Sequence, residues 1–239
     1  MLNKFYLPAV LALLLALMSC TAAHAAEALR LQAVSKHVYA IVGSLGNRTP
    51  ENLGNNATFG FVVTREGVVL IDAGGSFKGA AAIAALIRSV TDQPVKVVIN
   101  SGGQDHRWLG NDYFKARGAR IIASKQAVED QRARVQDQLF MLNTLVGTKG
   151  MEGTEPVYSE QPFDGSSRFT LGGVVFELKH AGPAHTPGDS IVWLPQERIA
   201  FSGDIVYVER LLGVLEYSNS RHWLQAFETL AALQPKVVI

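Results

Sequence analysis

Short apolar runs rich in β-branched residues, set between polar and glycine-rich breaks, mark most of this chain after its first quarter-hundred residues. Residues 29–34, 38–42, 59–64 and 68–72 alternate or run apolar at strand length, with Gly67 and Gly74-Gly75 as punctuation. A polar stretch over 43–56 carries Gly, Asn and Pro without periodicity, as a connector or a flap over a site would. Residues 77–90 have a nearly continuous apolar helical face, 95–100 form a short strand apolar on both sides, and 108–116 predict a short helix. A strand over 119–123 follows, then a long polar helix that opens at Ser124 or Lys125 and runs to 146. Its Gln and Arg residues are expected on a solvated face. A second β-rich block covers 167–171, 174–180, 190–194 and 198–201. Ser220 is the expected cap of a helix over 221–233, with Trp223, Phe227 and Leu230 on one stripe, and 236–239 has a strand pattern.

Two β-rich blocks, each followed by helices, predict an α/β (α+β) fold: two central sheets with helices outside, a four-layer αβ/βα sandwich. No repeat or low-complexity linker divides the chain, so 26–239 is expected to be one domain. With 239 residues and 48% hydrophobic content, it has ample material for a core.

The first 25 residues differ in kind. Lys4 precedes an apolar run over 7–18, and Ala23-His24-Ala25 offers a small-x-small cleavage site. The run is about a dozen residues, short of the ~20 that span a bilayer as a helix. A cleaved export signal over 1–25 is therefore expected, with a periplasmic or secreted product and no integral membrane span. Leu17-Met18-Ser19-Cys20 leaves open a lipoprotein anchored through Cys20. Cys20 is the only cysteine, so after ordinary cleavage there is neither a disulfide nor a thiolate ligand. Removing Lys4 takes the 22 basic residues to 21 against 21 acidic ones, a net charge of zero, and no basic patch argues for nucleic acid.

The chemistry concentrates at three glycine-rich strand ends: Ser101-Gly102-Gly103-Gln104-Asp105-His106, Gly182-Pro183-Ala184-His185-Thr186-Pro187-Gly188-Asp189, and Phe201-Ser202-Gly203-Asp204. Glycines permit turns that could let an adjacent Asp and His converge on one ion, and carboxylate oxygen and imidazole nitrogen suit zinc and similar metals. Asp-His alone is weak evidence, since a strand-end Asp is commonly a cap or turn residue. With 68–74, which ends in Asp72-Ala73-Gly74, these motifs in this order resemble the metallo-β-lactamase fold superfamily.

The resemblance implies that fold and a metal-dependent hydrolase, but with a damaged first motif. Where the family has His-x-His-x-Asp-His, Ser101 and Gly103 replace the first two histidines. In the family those two and the match of His185 hold the first metal. The matches of Asp105 and His106 help hold the second, and the match of Asp204 bridges. A last His, in a Pro-Gly-His segment after a terminal strand, would begin where this chain stops at Ile239, so a fragment is expected. The resemblance thus implies one ion more than two, zinc with manganese or iron as alternatives, on Asp105, His106 and Asp204, with His185 near water or substrate. Asp105 and Asp204 would serve catalysis by orienting water or taking its proton.

The expected substrate is a small ester, thioester, lactone or amide, a β-lactam being possible but not favoured. A non-catalytic binding protein with a degenerate metal site is the alternative, because a fold hosts many chemistries. Oligomeric state is not legible. His180 ends a strand and is expected at the surface or in a loop. His37 and His222 are expected in solvent, and Trp108 in the core or a cleft wall. Gly74-Gly75-Ser76 lacks phosphate-loop spacing and is read as a strand-to-helix turn. No G-x-S-x-G elbow supports a nucleophilic serine.

Overall fold

The computed structural model describes residues 29–239; the segment 1–25 expected as an export signal, with Cys20 and His24, lies outside the described residues. The first sheet runs in sequence order: β1 (Arg30–Ala33), β2 (Val38–Val42), β3 (Thr58–Thr64), β4 (Gly67–Ile71), β5 (Val95–Asn100) and β6 (Arg120–Ala123). β1 to β4 are antiparallel, and β4, β5 and β6 are parallel. The second sheet has the order β11-β10-β9-β8-β7, made from β7 (Ser166–Leu171), β8 (Val174–His180), β9 (Ser190–Leu194), β10 (Ile199–Phe201) and β11 (Val237–Val238).

Strand alternation builds the layers. In β4, Val69 and Ile71 face the second sheet and join Phe176, Leu178, Val192 and Phe201 in the central core. Val68 and Leu70 face the other way, onto Ala80, Ile83 and Ile87 of α1 (Phe77–Arg88). On the far side of the second sheet, Ile191, Trp193 and Ala200 pack against Trp223, Ala226 and Leu230 of α6 (Ser220–Ala232). The result is helix, sheet, sheet, helix, as the alternation of blocks predicts. Among the described residues, no helix is long and apolar enough to cross a membrane.

Three local expectations change. The helix expected over 108–116 is two short ones, α2 (Asp105–Trp108) and α3 (Asn111–Lys115), split at Gly110. A Cβ on Gly110 would lie 2.3 Å from the Ala73 carbonyl oxygen, so this close approach requires glycine. The cap of α6 is Asn219, whose side chain accepts from the His222 N–H, with Ser220 the first helical residue. The polar helix α4 (Lys125–Leu145) does not turn all its polar residues to solvent. Asp130, Gln131 and Gln138 are buried, and Gln131 and Gln138 donate to the Gly102 and Gly103 carbonyls. A short helix, α5 (Thr148–Met151), follows α4.

Candidate site at the strand ends

The carboxyl ends of β4 and β5 and the turn after β10 converge on one buried polar cluster. Asp72, the residue after β4, has φ +67°, a left-handed conformation uncommon for anything but glycine. That turn brings its carboxylate to the end of β5, where it accepts from the Ser101 N–H at 2.7 Å and the Ser101 hydroxyl at 2.8 Å. Ser101 therefore ties the ends of two neighbouring strands. On the other sheet, a single 3₁₀ turn, Gly203–Ile205, holds Asp204.

Asp105, His106 and Arg107 occupy the first turn of α2, not a flexible loop. Their side chains nevertheless stay in contact, with His106 Nδ1 3.3 Å from Asp105 Oδ1 and both His106 and Arg107 beside Asp204. Asp105 accepts from Arg48 Nη2 at 2.6 Å, and Arg48 comes from the polar stretch between β2 and β3. His106 turns toward the second sheet, with Nε2 3.7 Å from Asp204 Oδ2. Its Nδ1 lies 3.2 Å from Arg48 Nη2 and 3.1 Å from Asn56 Oδ1.

Arg107 reaches furthest. Its Nε and Nη2 donate to the two Asp204 oxygens at 3.1 and 2.9 Å, and Nη1 donates to Asp72 Oδ2 at 2.8 Å and the Thr58 carbonyl at 3.0 Å. A guanidinium has five N–H donors in a fixed fork that matches a carboxylate. The sequence reading did not single out this residue. The available signal was a charged side chain inside Val97–Leu109, an otherwise apolar and polar-neutral passage apart from Asp105 and His106.

Charge follows these contacts. Burial works to raise Asp204, but Arg107 overrules it and holds the carboxyl well below the usual range. Burial likewise opposes ionisation of Asp105, and Arg48, with His106 second, brings it below its ordinary value. Asp72 stays above its ordinary value because burial outweighs Arg107 and Ser101, so the principal ionic partner of Arg107 is Asp204. Burial pushes His106 down to about 4, leaving a neutral ring at pH 7.

His185 stands apart from this cluster. Its Nδ1 donates to the Gly213 carbonyl at 2.7 Å, and its ring is surrounded by Tyr207, Tyr217 and Trp223 at centroid distances of 5.8 to 6.3 Å. The two positions read as lost histidines are built over: Ser101 serves Asp72, and a Cβ on Gly103 would lie 1.8 Å from Asp130 Oδ2. Asp130 is itself held in an ion pair with Arg134 on α4. Gly102 is equally confined, 2.6 Å from Asp189 Oδ1 by the same measure.

These donors do not fit the metal that the motif resemblance implies. Among the described residues, no three His, Cys, Asp or Glu side chains group so as to hold an ion. His106 approaches both carboxylates, Nδ1 3.3 Å from Asp105 Oδ1 and Nε2 3.7 Å from Asp204 Oδ2, but Asp105 also pairs with Arg48 and both Asp204 oxygens receive Arg107.

Two loops cover the cluster. Arg210, in the segment between the 3₁₀ turn and α6, donates to the carbonyls of Ser44, Gly46 and Asn56 and so joins its loop to the one bearing Arg48. A cavity of about 190 Å³ lies beside Arg107 and Asp204, with Val42, Phe59, Ile71 and Phe201 as apolar walls and Tyr207 and Arg210 at its rim. Among the other candidates, His180 donates to the Asp189 carbonyl, His37 pairs with Glu197 at 2.9 Å, and His222 is exposed. Trp108 is core, with its indole N–H on Gln138, and Ser76 caps α1 as a strand-to-helix turn requires.

The sandwich has relatives. The chain is 24% identical over 191 residues to "Metallo-beta-lactamase type 2" of Elizabethkingia meningoseptica, covering 74% of this chain and 64% of that protein, under two thirds of its length. It is 22% identical over 205 residues to "Metallo-beta-lactamase IND-1" of Chryseobacterium indologenes, covering 85% and 75%. Its fold matches the solved structure of a metallo-beta-lactamase from Pontibacter korlensis with TM-score 0.66 at 23% identity, covering 88% of this chain and 89% of that one. The family model described as "Metallo-beta-lactamase superfamily" matches residues 54–239, and the chain belongs to that superfamily.

Proposed function

We infer that this chain is an exported small-molecule-binding member of the superfamily, one whose polar centre is closed by its own arginines and not by a metal. Arg107 carries this reading. Its guanidinium engages both oxygens of Asp204 and one of Asp72, so a divalent ion would have to displace a fixed, buried cation. The ligand would enter the cavity beside Arg107 and Asp204, its apolar part against Phe59, Ile71 and Phe201 and a polar group toward Tyr207 and Arg210. Such a division between apolar wall and few polar anchors is the usual character of a small-molecule site. Export and a periplasmic or secreted location, with a lipid anchor at Cys20 as the other form, rest on the leader pattern over 1–25.

One observation favours a second reading, a mononuclear metal-dependent hydrolase of esters, thioesters, lactones or amides. His106 Nε2 and Asp105 Oδ2 are buried without a hydrogen-bond partner, and His106 Nε2 is near Asp204. Buried polar atoms ordinarily have partners, and in this second reading zinc, manganese or iron would take them. Metal analysis of the purified full-length protein separates the two. The binding reading expects less than about a tenth of an equivalent of metal and no turnover of an ester, thioester, lactone and β-lactam panel after zinc is added. Near-stoichiometric metal that disappears in His106→Ala, together with turnover of any panel member, would overturn it in favour of the hydrolase.

A further inference from the structure

The Arg107 guanidinium lies between groups from both sheets. Asp72 and the Thr58 carbonyl belong to the first sheet's strand ends, Asp204 to the turn after β10 of the second, and Arg107 follows β5 of the first. The side chain is 5% exposed, and four of its five N–H donors are committed to these three partners. A metal bridging strand ends across two sheets would do the same mechanical work: neutralise converging carboxylates and pin their separation. The rest of the neighbourhood has closed around that substitution. Ser101 is a hydrogen-bond donor to Asp72, Gly103 leaves room for the Asp130–Arg134 pair, and Gly102 leaves room for Asp189.

We propose that Arg107 is the structural replacement for a metal in this chain, a guanidinium cross-link between the two sheets around which the former ligand positions are filled by protein. The proposal rests on the reading of the site as one without a metal, but it adds a claim about stability that the binding reading does not make.

The cross-link is tested by thermal unfolding of the full-length protein with and without chelator and with added zinc. Wild type is expected to keep its Tm under both treatments. Arg107→Met leaves Asp72 and Asp204 buried without their cation and is expected to lose about 10 °C of Tm, from the usual cost of orphaning a buried charge in a chain of this size. Should Arg107→Met fail to fold, the triple variant R107M/D72N/D204N, which removes the stranded charges with the cation, is expected to fold and to recover at least half that loss. The double variant S101H/G103H, which restores the two histidines, is expected to be less stable than wild type and to gain no Tm from zinc, because Asp130 occupies the space.

A chelator that lowers the wild-type Tm, or a zinc-stabilised S101H/G103H, would overturn the proposal. An Arg107→Met Tm within about 2 °C of wild type, in a protein that contains no metal, would sink the cross-link while leaving the binding reading standing. A triple variant no more stable than Arg107→Met would also sink it.

Discussion

Asp204 and Asp189 are both buried on loops of the same sheet, but they face different neighbours. Asp204 has Arg107 on both oxygens and is held well below the usual carboxylate range despite its burial. Asp189 has Thr186, whose N–H donates at 2.8 Å and whose hydroxyl contacts the other oxygen, but no guanidinium on its own oxygens. Burial, with the charge of Asp204 second, pushes Asp189 up to about 8, so it is a neutral acid at pH 7. Two aspartates from adjoining motifs therefore carry different charges, and the largest difference between them is the guanidinium on Asp204. Within this fold, motif identity is a poor guide to charge; what lies opposite the carboxylate decides it.

That comparison is broken most severely from the Asp204 side. Asp204→Ala leaves Arg107 with Asp72 alone, whose carboxyl is already reluctant to ionise, and is expected to cost about 3–5 kcal/mol in urea unfolding. A loss under about 1 kcal/mol would show that the pair is not a buried charge partnership. Next in size is Arg48→Ala. It strands the fully buried Asp105 carboxylate, but the Arg48 side chain retains 14% exposure and water can follow it in, so about 2 kcal/mol is expected. Arg48→Lys should recover less than half, because a lysine cannot present the same planar fork.

Asp189→Asn sharpens the contrast through pH. The folded-state pKa of Asp189 is raised, so its stabilising protonation is complete below the unfolded value near 3.8 and is lost as pH rises through about 8. The folded state binds the extra proton in that window, and wild-type stability should fall relative to Asp189→Asn between about pH 4 and 8 and level off above it. Parallel urea-unfolding curves for the two proteins across that range would contradict the assignment. The smallest effect is expected from Arg210→Ala, which breaks only hydrogen bonds to the carbonyls of Ser44, Gly46 and Asn56. Global stability should drop by about 1 kcal/mol or less, while amide exchange over 44–57 and 206–218 should accelerate at least about tenfold.

Much of the architecture was legible in the sequence because it depends on local periodicity. The alternation in 68–72 places Val69 and Ile71 in one core and Val68 and Leu70 in another, as observed. The strand-end glycines marked where the site would form. Asp105, His106 and Asp204 are legible as candidates because they sit in motif segments, and the structure brings the three near one another. Arg107 is not legible in the same way, although it follows His106 directly, because a lone arginine carries no motif and its partners lie 35 and 97 residues away in sequence. The buried face of α4 was also misjudged, since glutamines 131 and 138 look like solvent residues until the carbonyls of Gly102 and Gly103 are placed beside them.

The sequence by itself determined the layers, the order of the blocks and the glycine-rich strand ends. These are properties of side-chain period and of residue identity, which need no knowledge of distant neighbours. Only the tertiary structure decided that Asp105 meets Arg48, that His106 turns to Asp204, and that Arg107 joins Asp204 to Asp72. The reason is distance along the chain: Arg48, Asp72 and Asp204 lie far from 105–107 in sequence, and only the packing of the two sheets and their loops brings them to that short helix.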